Sequence, residues 1–586
     1  MPNAFLDAAG SRHIACAVLT LVLLAAAPSA DAEWTCDDPL VSLTANDLPA
    51  AYFVANDWVG SVVPDGAGGL YLVWEENAAK SIARCRIQRL DANGNRLWGD
   101  EGLMLFDMDD QHTPGLFEDS AGGVYAYTAS SPTPEANFEV RMQRFGPDGS
   151  RQWGPFGRTV FQACGVPSYR PHLVSDGADG FFLSLVTNVT PNQVRLQHIS
   201  ANGDLLWGGG SPCGIVAVTS AESVFNAGVL ADGAGGLFLS YDEFAGNGTG
   251  GLNVRAERLD ASGNPMWGSG NGISVCNRPL DQFANAPLPD GEGGVLVFWY
   301  SRNNPDFFDY VGGQRLDGNG NALWTPNGEQ VLPLSYYLSG VMADGQGGAW
   351  ISVWKYGADD ERDNHLQRVD RDGNSVYPSI IPICEAPNRQ FGGALLDDRA
   401  GGCYVVWSDW RDTSFEQDLY FQHVSPAGAI LEPVDGTPIT AEPGAQGRFW
   451  AITSNDQGEA FIVWDNESPF FGIFAEKFPC TTTVAIDTSP ASRAGSIRVY
   501  PNPFGTAAGS VRISFDRGTA LAEDASIEIF DVTGRNVRSM SARADGRATF
   551  DWDGKDDGGR DLPAGVYWVR VATPNGSLAS SVTLVR

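Results

Sequence analysis

Along most of the chain, apolar and polar residues alternate in short runs broken by glycine-rich turns, the period of half-buried strands and not of helices. One stretch shows the unit. Leu338–Ala343 reads as a first strand, Asp344-Gly345-Gln346-Gly347-Gly348 as a tight turn and Ala349–Lys355 as a second strand. A polar loop leads to a third strand at His365–Asp370, a turn at Arg371-Asp372-Gly373-Asn374 and a fourth strand at Ser375–Cys384. Glycine suits these turns because hairpin connections need positive φ, which a Cβ makes costly.

The unit recurs. Asp-x-x-Gly-Gly begins at Asp65, Asp119, Asp232, Asp290, Asp344 and Asp398, with variants at Asp176 and Asn455, at intervals of 54, 57, 56, 58, 54, 54 and 57 residues. Each unit then carries Gln or Glu followed by a cation or His: Gln88-Arg89, Gln143-Arg144, Gln197-His198, Glu257-Arg258, Gln314-Arg315, Gln367-Arg368, Gln422-His423 and Glu476-Lys477. A tryptophan follows at 98, 153, 207, 267 and 324, replaced by Tyr377 in the sixth unit. Four antiparallel strands in a repeat of this length make the blade of a β-propeller. The expectation is therefore all-β, with an eight-bladed propeller over 33–480 and seven blades as the alternative.

What recurs in every unit serves folding. The turn Asp should accept its own turn's N–H groups, the Trp should pack between blades, and the Gln-cation pair should bridge strands. The eighth unit stops after its third strand near Phe478, so Pro39–Thr44 is expected to supply the outer strand, with a Cys36–Cys480 disulfide locking the ring. Such a bond could contribute roughly 4–5 kcal/mol on the chain-entropy account.

At the N-terminus, Arg12-His13, an apolar run from Ile14 to Ala27 and a small-residue cleavage pattern read as a secretory signal peptide over 1–32. The run is shorter than a membrane span needs, so a secreted or cell-surface protein with no membrane span after signal removal is expected. Eight cysteines then remain without any CxxC spacing, which favours disulfides over zinc.

A Thr/Ser/Ala/Pro-rich linker at 481–495 precedes new strands over 496–586: Ile497–Tyr500, Val511–Phe515, Ser526–Asp531, Ala548–Trp552, Gly565–Val571 and Ser581–Val585. Short alternating strands of this kind suit a small Ig-like β-sandwich. Tyr500-Pro501-Asn502-Pro503-Phe504, a segment ending Thr533-Gly534-Arg535, Trp552-Asp553-Gly554 and Leu562-Pro563-Ala564-Gly565-Val566-Tyr567 follow one another in order. The region resembles the C-terminal sorting domains of type IX secretion cargo, and is similar to the Ig-like domain of flagellar hook-capping proteins. The resemblance implies a bacterial protein exported to the cell surface, with secretion machinery as partner of this domain.

Charge and chemistry narrow the function. With 38 basic against 71 acidic residues the net charge is −33, and lysine occurs only at 80, 355, 477 and 555, so nothing offers a phosphate backbone a basic stripe and nucleic acid is excluded. No Gly-x-Ser-x-Gly, His-Glu-x-x-His or phosphate-loop sequence occurs, and the five later histidines make no triad, so no catalytic residue is assigned. The turns at Asp91 and Asp317 lack the acidic ladder of a calcium loop, so neither metal nor cofactor is expected.

A site should lie where the repeats differ, in the loops joining second and third strands. Those of units five to eight offer Arg302, Asp306, Asp309 and Tyr310; Asp359, Asp360 and Arg362; Trp410, Arg411 and Asp412; and Phe470. This composition suits binding or adhesion to a carbohydrate or a surface protein. The alternative is a secreted polysaccharide hydrolase with carboxylates on the same face.

Overall fold

The computed structural model describes residues 58–478 and 497–585 apart from short internal stretches, among them 78–82, 131–137, 245–250, 303–309, 357–361, 412–416, 467–471 and 517–523. Residues 1–32, read from sequence as a signal peptide, together with Cys36, Pro39–Thr44, Cys480 and the stretch 481–495 read as a linker, therefore lie outside the described residues. No helix among those described is long and apolar enough to cross a membrane.

From Trp58 to Phe478 the chain is a β-propeller built of antiparallel meanders whose main strands pair in sequence order, with short extra strands at Val166–Pro167 and Leu288–Pro289 in the third and fifth sheets. Eight successive sheets are described, with first strands beginning at Trp58, Gly115, His172, Val224, Asp281, Tyr336, Gln390 and Gln446. The sixth shows strands at Tyr336–Ala343, Ala349–Tyr356, Arg362–Val369 and Ile381–Cys384. Its fourth strand is shorter than the periodicity suggests. Ser375 makes only an isolated bridge to Val369, because the segment after it turns Tyr377 toward the next sheet, where its hydroxyl donates to Pro426 O at 2.9 Å. Among the described residues the eighth sheet has three strands, ending at Gly472–Phe478.

The core is divided among the seams between sheets. Tyr71, Val73 and Trp98 of the first sheet pack with Val124 and Phe145 of the second, and equivalent clusters fill each later seam. One cluster joins Leu70, Leu72 and Trp74 to Phe461, Val463 and Ile473, so the eighth sheet packs on the first. First strands are the inner ones: a Cβ on Gly60 would sit 2.5 Å from Pro114 O of the next sheet, and one on Gly340 would sit 3.0 Å from Gly393 O.

The repeated polar residues hold each sheet. Asp65 Oδ1 accepts the N–H groups of Ala67 and Gly69 at 2.8 Å each, as its turn requires, while Oδ2 accepts from Arg89 at 2.9 Å. The same pair recurs as Arg144–Asp119, His198–Asp176, Arg258–Asp232, Arg315–Asp290, Arg368–Asp344 and His423–Asp398. The eighth unit relocates the charge: Asn455 takes the turn N–H groups, and Glu459, where other units have glycine, pairs with Lys477. The Gln has its own task. Gln88 Oε1 accepts from Trp98 N–H at 2.9 Å and Nε2 donates to Gly99 O at 2.6 Å, fixing the segment that carries the tryptophan.

Most described cysteines depart from the disulfide expectation. Cys85, Cys276, Cys384 and Cys403 are buried free thiols, Cys85 and Cys276 each in its own seam and Cys384 and Cys403 in the one between the sixth and seventh sheets, where they pack as small apolar groups. Cys213 is disulfide-bonded.

From Ile497 to Val585, a three-stranded sheet and a five-stranded sheet share one core of Val511, Ile513, Ile527, Ile529, Phe550, Trp552, Tyr567, Val569, Val582 and Leu584. Trp552 and Tyr567 meet edge-on at 5.3 Å, with Trp552 Nε1 donating to Lys555 O and Tyr567 Oη donating to Pro563 O. These two motif residues are therefore the aromatic centre of a two-sheet sandwich. Tyr500 pairs in register with Arg512, Phe504 runs parallel beside Leu584, and Gly565 opens the strand carrying Tyr567. Pro501, Asn502, Pro503 and Gly534 lie outside the described residues. The strand Asn536–Arg543 has no counterpart in the sequence reading: its serines and arginines carry little apolar alternation, and it forms the edge of the five-stranded sheet beside Asp524–Phe530.

Candidate aromatic binding face

Seven positions before each turn Asp or its Asn455 equivalent the sequence has Trp58, His112, Tyr169, Phe225, Phe283, Tyr337, Phe391 and Arg448, aromatic or His in every repeat but the last. Apart from Tyr169, which lies outside the described residues, these stand near the start of the inner strand or just ahead of it, at the end from which the long loops leave. Large rings are buried where packing alone governs. Here Phe225, Phe283 and Tyr337 are only half-buried, and Phe391 is 47% exposed.

On sheets five to seven the rings join into a row. Phe283 lies 6.1 Å from Tyr300 on the neighbouring strand, Tyr300 is 5.2 Å from Tyr337 of the next sheet, and Tyr337 stacks on Trp354 at 4.1 Å and 6°. Trp354 is 6.3 Å from Phe391 of the seventh sheet at an angle of 47°. Into that notch comes Arg362, its guanidinium carbon 5.0 Å from the Trp354 ring and 5.5 Å from Phe391. Strand pairing builds the row: Phe283 is opposite Tyr300 and Tyr337 opposite Trp354 in register, so the fifth and sixth sheets each offer two rings at one end, and the seventh adds Phe391 opposite Ser408. Stacked rings stiffen one another, and the guanidinium of Arg362 lies against two of them.

Carboxylates at the ends of second strands anchor this crown. Glu75, buried, accepts from Thr113 N–H at 3.2 Å and lies 2.9 Å from His112 Nδ1. Asp242 accepts from Ala284 N–H, directly after Phe283, at 2.9 Å, and from Asn226 Nδ2 at 2.9 Å. Burial pushes the Asp242 carboxyl up to about 7, against which its two hydrogen bonds act. The folded protein then holds a proton that the unfolded chain releases near its ordinary 3.8, so stability falls as pH rises from about 4 to 7 and levels beyond. Asp242→Asn should gain on the wild type across that window, by up to about 4 kcal/mol. Urea unfolding at a series of pH values reads this, and parallel curves for the two proteins would refute it.

Of the residues singled out from sequence, Arg362 joins the row. Tyr310 and Arg302 sit at facing strand ends, Tyr310 opposite Ser301 and Arg302 opposite Asp281, with Arg302 exposed. Trp410 is half-buried and its N–H donates to Arg389 O at 2.9 Å. Arg411 turns inward: Nη2 is 2.6 Å from buried Asp409 and 2.7 Å from Asp435 O, and the guanidinium lies 3.8 Å from the Tyr420 ring. Burial opposes its charge, and the Asp409 contacts outweigh that and hold its pKa up. Asp306, Asp309, Asp359, Asp360, Asp412 and Phe470 lie outside the described residues. Asp91, weighed as a calcium ligand, spends its carboxylate on the N–H groups of Asn93 and Asn95 and on Asn95 Nδ2.

Reading the loops missed Phe283, Tyr300, Tyr337, Trp354 and Phe391, because aromatic residues within strands look like core. The seven-residue offset before the turn Asp was available for Phe283, Tyr337 and Phe391, whereas Tyr300 and Trp354, ten residues after it, left no repeated signal.

No curated protein matches the chain. Solved structures similar to it include an ulvan lyase described as a new polysaccharide lyase family, at 11% identity and TM-score 0.35, covering 67% of this chain and 97% of that one. PorZ, a surface component of the type IX secretion system of Porphyromonas gingivalis, aligns at 11% identity and TM-score 0.22 over 92% of this chain and 83% of that one. An endo-1,5-alpha-L-arabinanase from Thermotoga petrophila RKU-1 aligns at 11% identity and TM-score 0.27, over 63% and 97% respectively. Residues 502–577 of the chain match the FlgD Ig-like domain family.

Proposed function

We propose that this is a secreted, surface-displayed binding protein: a closed eight-bladed propeller that holds a glycan on its aromatic face, exported through the C-terminal Ig-like domain acting as a sorting signal. The observation that carries the reading is the row from Phe283 to Phe391, five rings from three sheets at one end of the propeller, ending in an exposed phenylalanine. A sugar has apolar C–H faces, which suit a row of flat rings ending in an exposed one. The row also sits among the loops in which the repeats differ, where specificity can vary without disturbing the scaffold.

A polysaccharide panel tests the reading. Phe391→Ala, which removes an exposed ring, should weaken binding at least about tenfold, as a central aromatic contact does, while leaving the thermal midpoint unchanged. Binding that survives this change, or no binding to any polysaccharide, overturns the assignment. Release of reducing ends from a bound polysaccharide, with no unsaturated sugar formed, would instead establish the hydrolase alternative.

A further inference from the structure

We propose that His112, oriented by the buried carboxylate of Glu75, is a second subsite of the glycan-binding face, its Nε2 accepting a hydrogen bond from a sugar hydroxyl. The inference rests on the glycan reading above and adds a polar contact at a seam the aromatic row does not reach.

One contact repeats at this end of the propeller. The residue ten positions after a turn Asp meets the residue seven positions before the next one: Tyr300 meets Tyr337, and Trp354 meets Phe391. At the seam between the first and second sheets the same two positions hold Glu75 and His112, with Glu75 Oε1 2.9 Å from His112 Nδ1. An imidazole on a carboxylate therefore stands where the row has ring on ring.

The pair leaves one nitrogen facing outward. The Glu75 side chain is 6% exposed, and an ionised carboxylate can only accept, so the imidazole proton sits on Nδ1. In the neutral ring the lone pair then lies on Nε2. The His112 side chain is 46% exposed, and no group among the described residues bonds that second nitrogen. The backbone around the ring is pinned on both sides. Ala129 N–H donates to His112 O at 3.0 Å, Thr113 N–H to Glu75 Oε2 at 3.2 Å and Thr113 Oγ1 to Ala129 O at 2.8 Å. Thr113 has φ 46°, a left-handed conformation that is rare for a β-branched residue. Backbone strain that the surrounding contacts over-determine clusters where a side chain must be aimed at a ligand. On a face whose rings suit the C–H side of a sugar, the donor that meets Nε2 is a sugar hydroxyl.

The test uses the full chain with soluble xylan, galactan and mixed-linkage glucan, each beside its O-methylated form, which has lost its hydroxyl donors. His112→Asn puts an amide N–H where Nδ1–H stood, so Glu75 keeps its partner while the outward nitrogen is gone. It should weaken binding of a hydroxylated polymer about fivefold, the usual effect of one hydrogen bond, and leave binding of the methylated form unchanged. Phe391→Ala should weaken both. Glu75→Gln reads the positioning role: its amide oxygen stays on Thr113 N–H, its NH2 faces Nδ1, and the imidazole proton moves to Nε2. Nitrogen NMR of histidine-labelled protein should show that move, together with a loss of binding like that of His112→Asn. In the wild type, Nε2 should shift when polymer is added, so the test holds even for a variant that melts early. Full-strength binding by folded His112→Asn, an equal loss on the methylated polymer, or an Nε2 that does not respond to bound polymer overturns the subsite. A proton that stays on Nδ1 in Glu75→Gln overturns the role given to Glu75. If Phe391-dependent binding persists in those outcomes, the glycan reading stands alone; if no polymer binds, both fall.

Discussion

Asp290→Ala is expected to lower the unfolding free energy of the propeller by about 3–5 kcal/mol, the usual penalty for leaving half of a buried ion pair. Asp290 and Arg315 have side chains 2% and 5% exposed, so water cannot replace the lost partner. The carboxylate also takes the N–H groups of Glu292 and Gly294, at 2.8 and 2.7 Å, and these lose their acceptor with it. Glu292, exposed and 2.7 Å from Arg315, retains part of the charge balance, which places the effect toward the lower end. The eighth unit supplies the internal comparison. Its pair, Lys477 with Glu459, has side chains 22% and 36% exposed, so Glu459→Ala should cost clearly less, about 1 kcal/mol. Urea midpoints of the two variants check the ranking, and equal losses would show that the buried pairs hold nothing the surface pair does not.

Trp324→Ala is expected to cost about 3–5 kcal/mol, the range for deleting a buried aromatic. The ring closes the seam between the fifth and sixth sheets: Nε1 donates to Arg371 O at 3.0 Å, and the indole lies over Gly373. Gly373 has φ 83°, and a Cβ there would come within 3.0 Å of the ring, so Gly373→Ala should cost about 1–3 kcal/mol from the opposite side of the contact. Because both changes damage one contact, the double variant should lose less than the sum. Chemical denaturation of the two single variants and the double variant measures this. Additive losses would mean that the tryptophan and the glycine act independently.

The same docking recurs with Trp98 over Gly149, Trp153 over Gly203, Trp207 over Gly263 and Trp267 over Gly320. This explains why the strands and seams were legible in the sequence. A turn that needs positive φ, and a ring that needs a glycine to lie on, leave the same letters in every repeat. The task of the Gln was not legible, because its partner N–H is ten residues onward in a segment whose path no periodicity describes. Nor was the Asn536–Arg543 strand, since an edge strand need not alternate.

The binding face divides in the same way. Arg362 could be singled out from its loop, yet its placement depends on rings contributed by two sheets. Arg411 reads in sequence as an equal candidate, and the fold turns it inward onto Asp409. Local sequence determined the repeat, its turns, the inner position of the aromatic residues and the division into propeller and sandwich, because each depends on φ preference or alternation within a few residues. Only the tertiary structure decided which rings form one row, and that Arg362 lies against them while Arg411 turns onto Asp409. Those contacts join residues tens of positions apart, and the packing of neighbouring sheets brings them together.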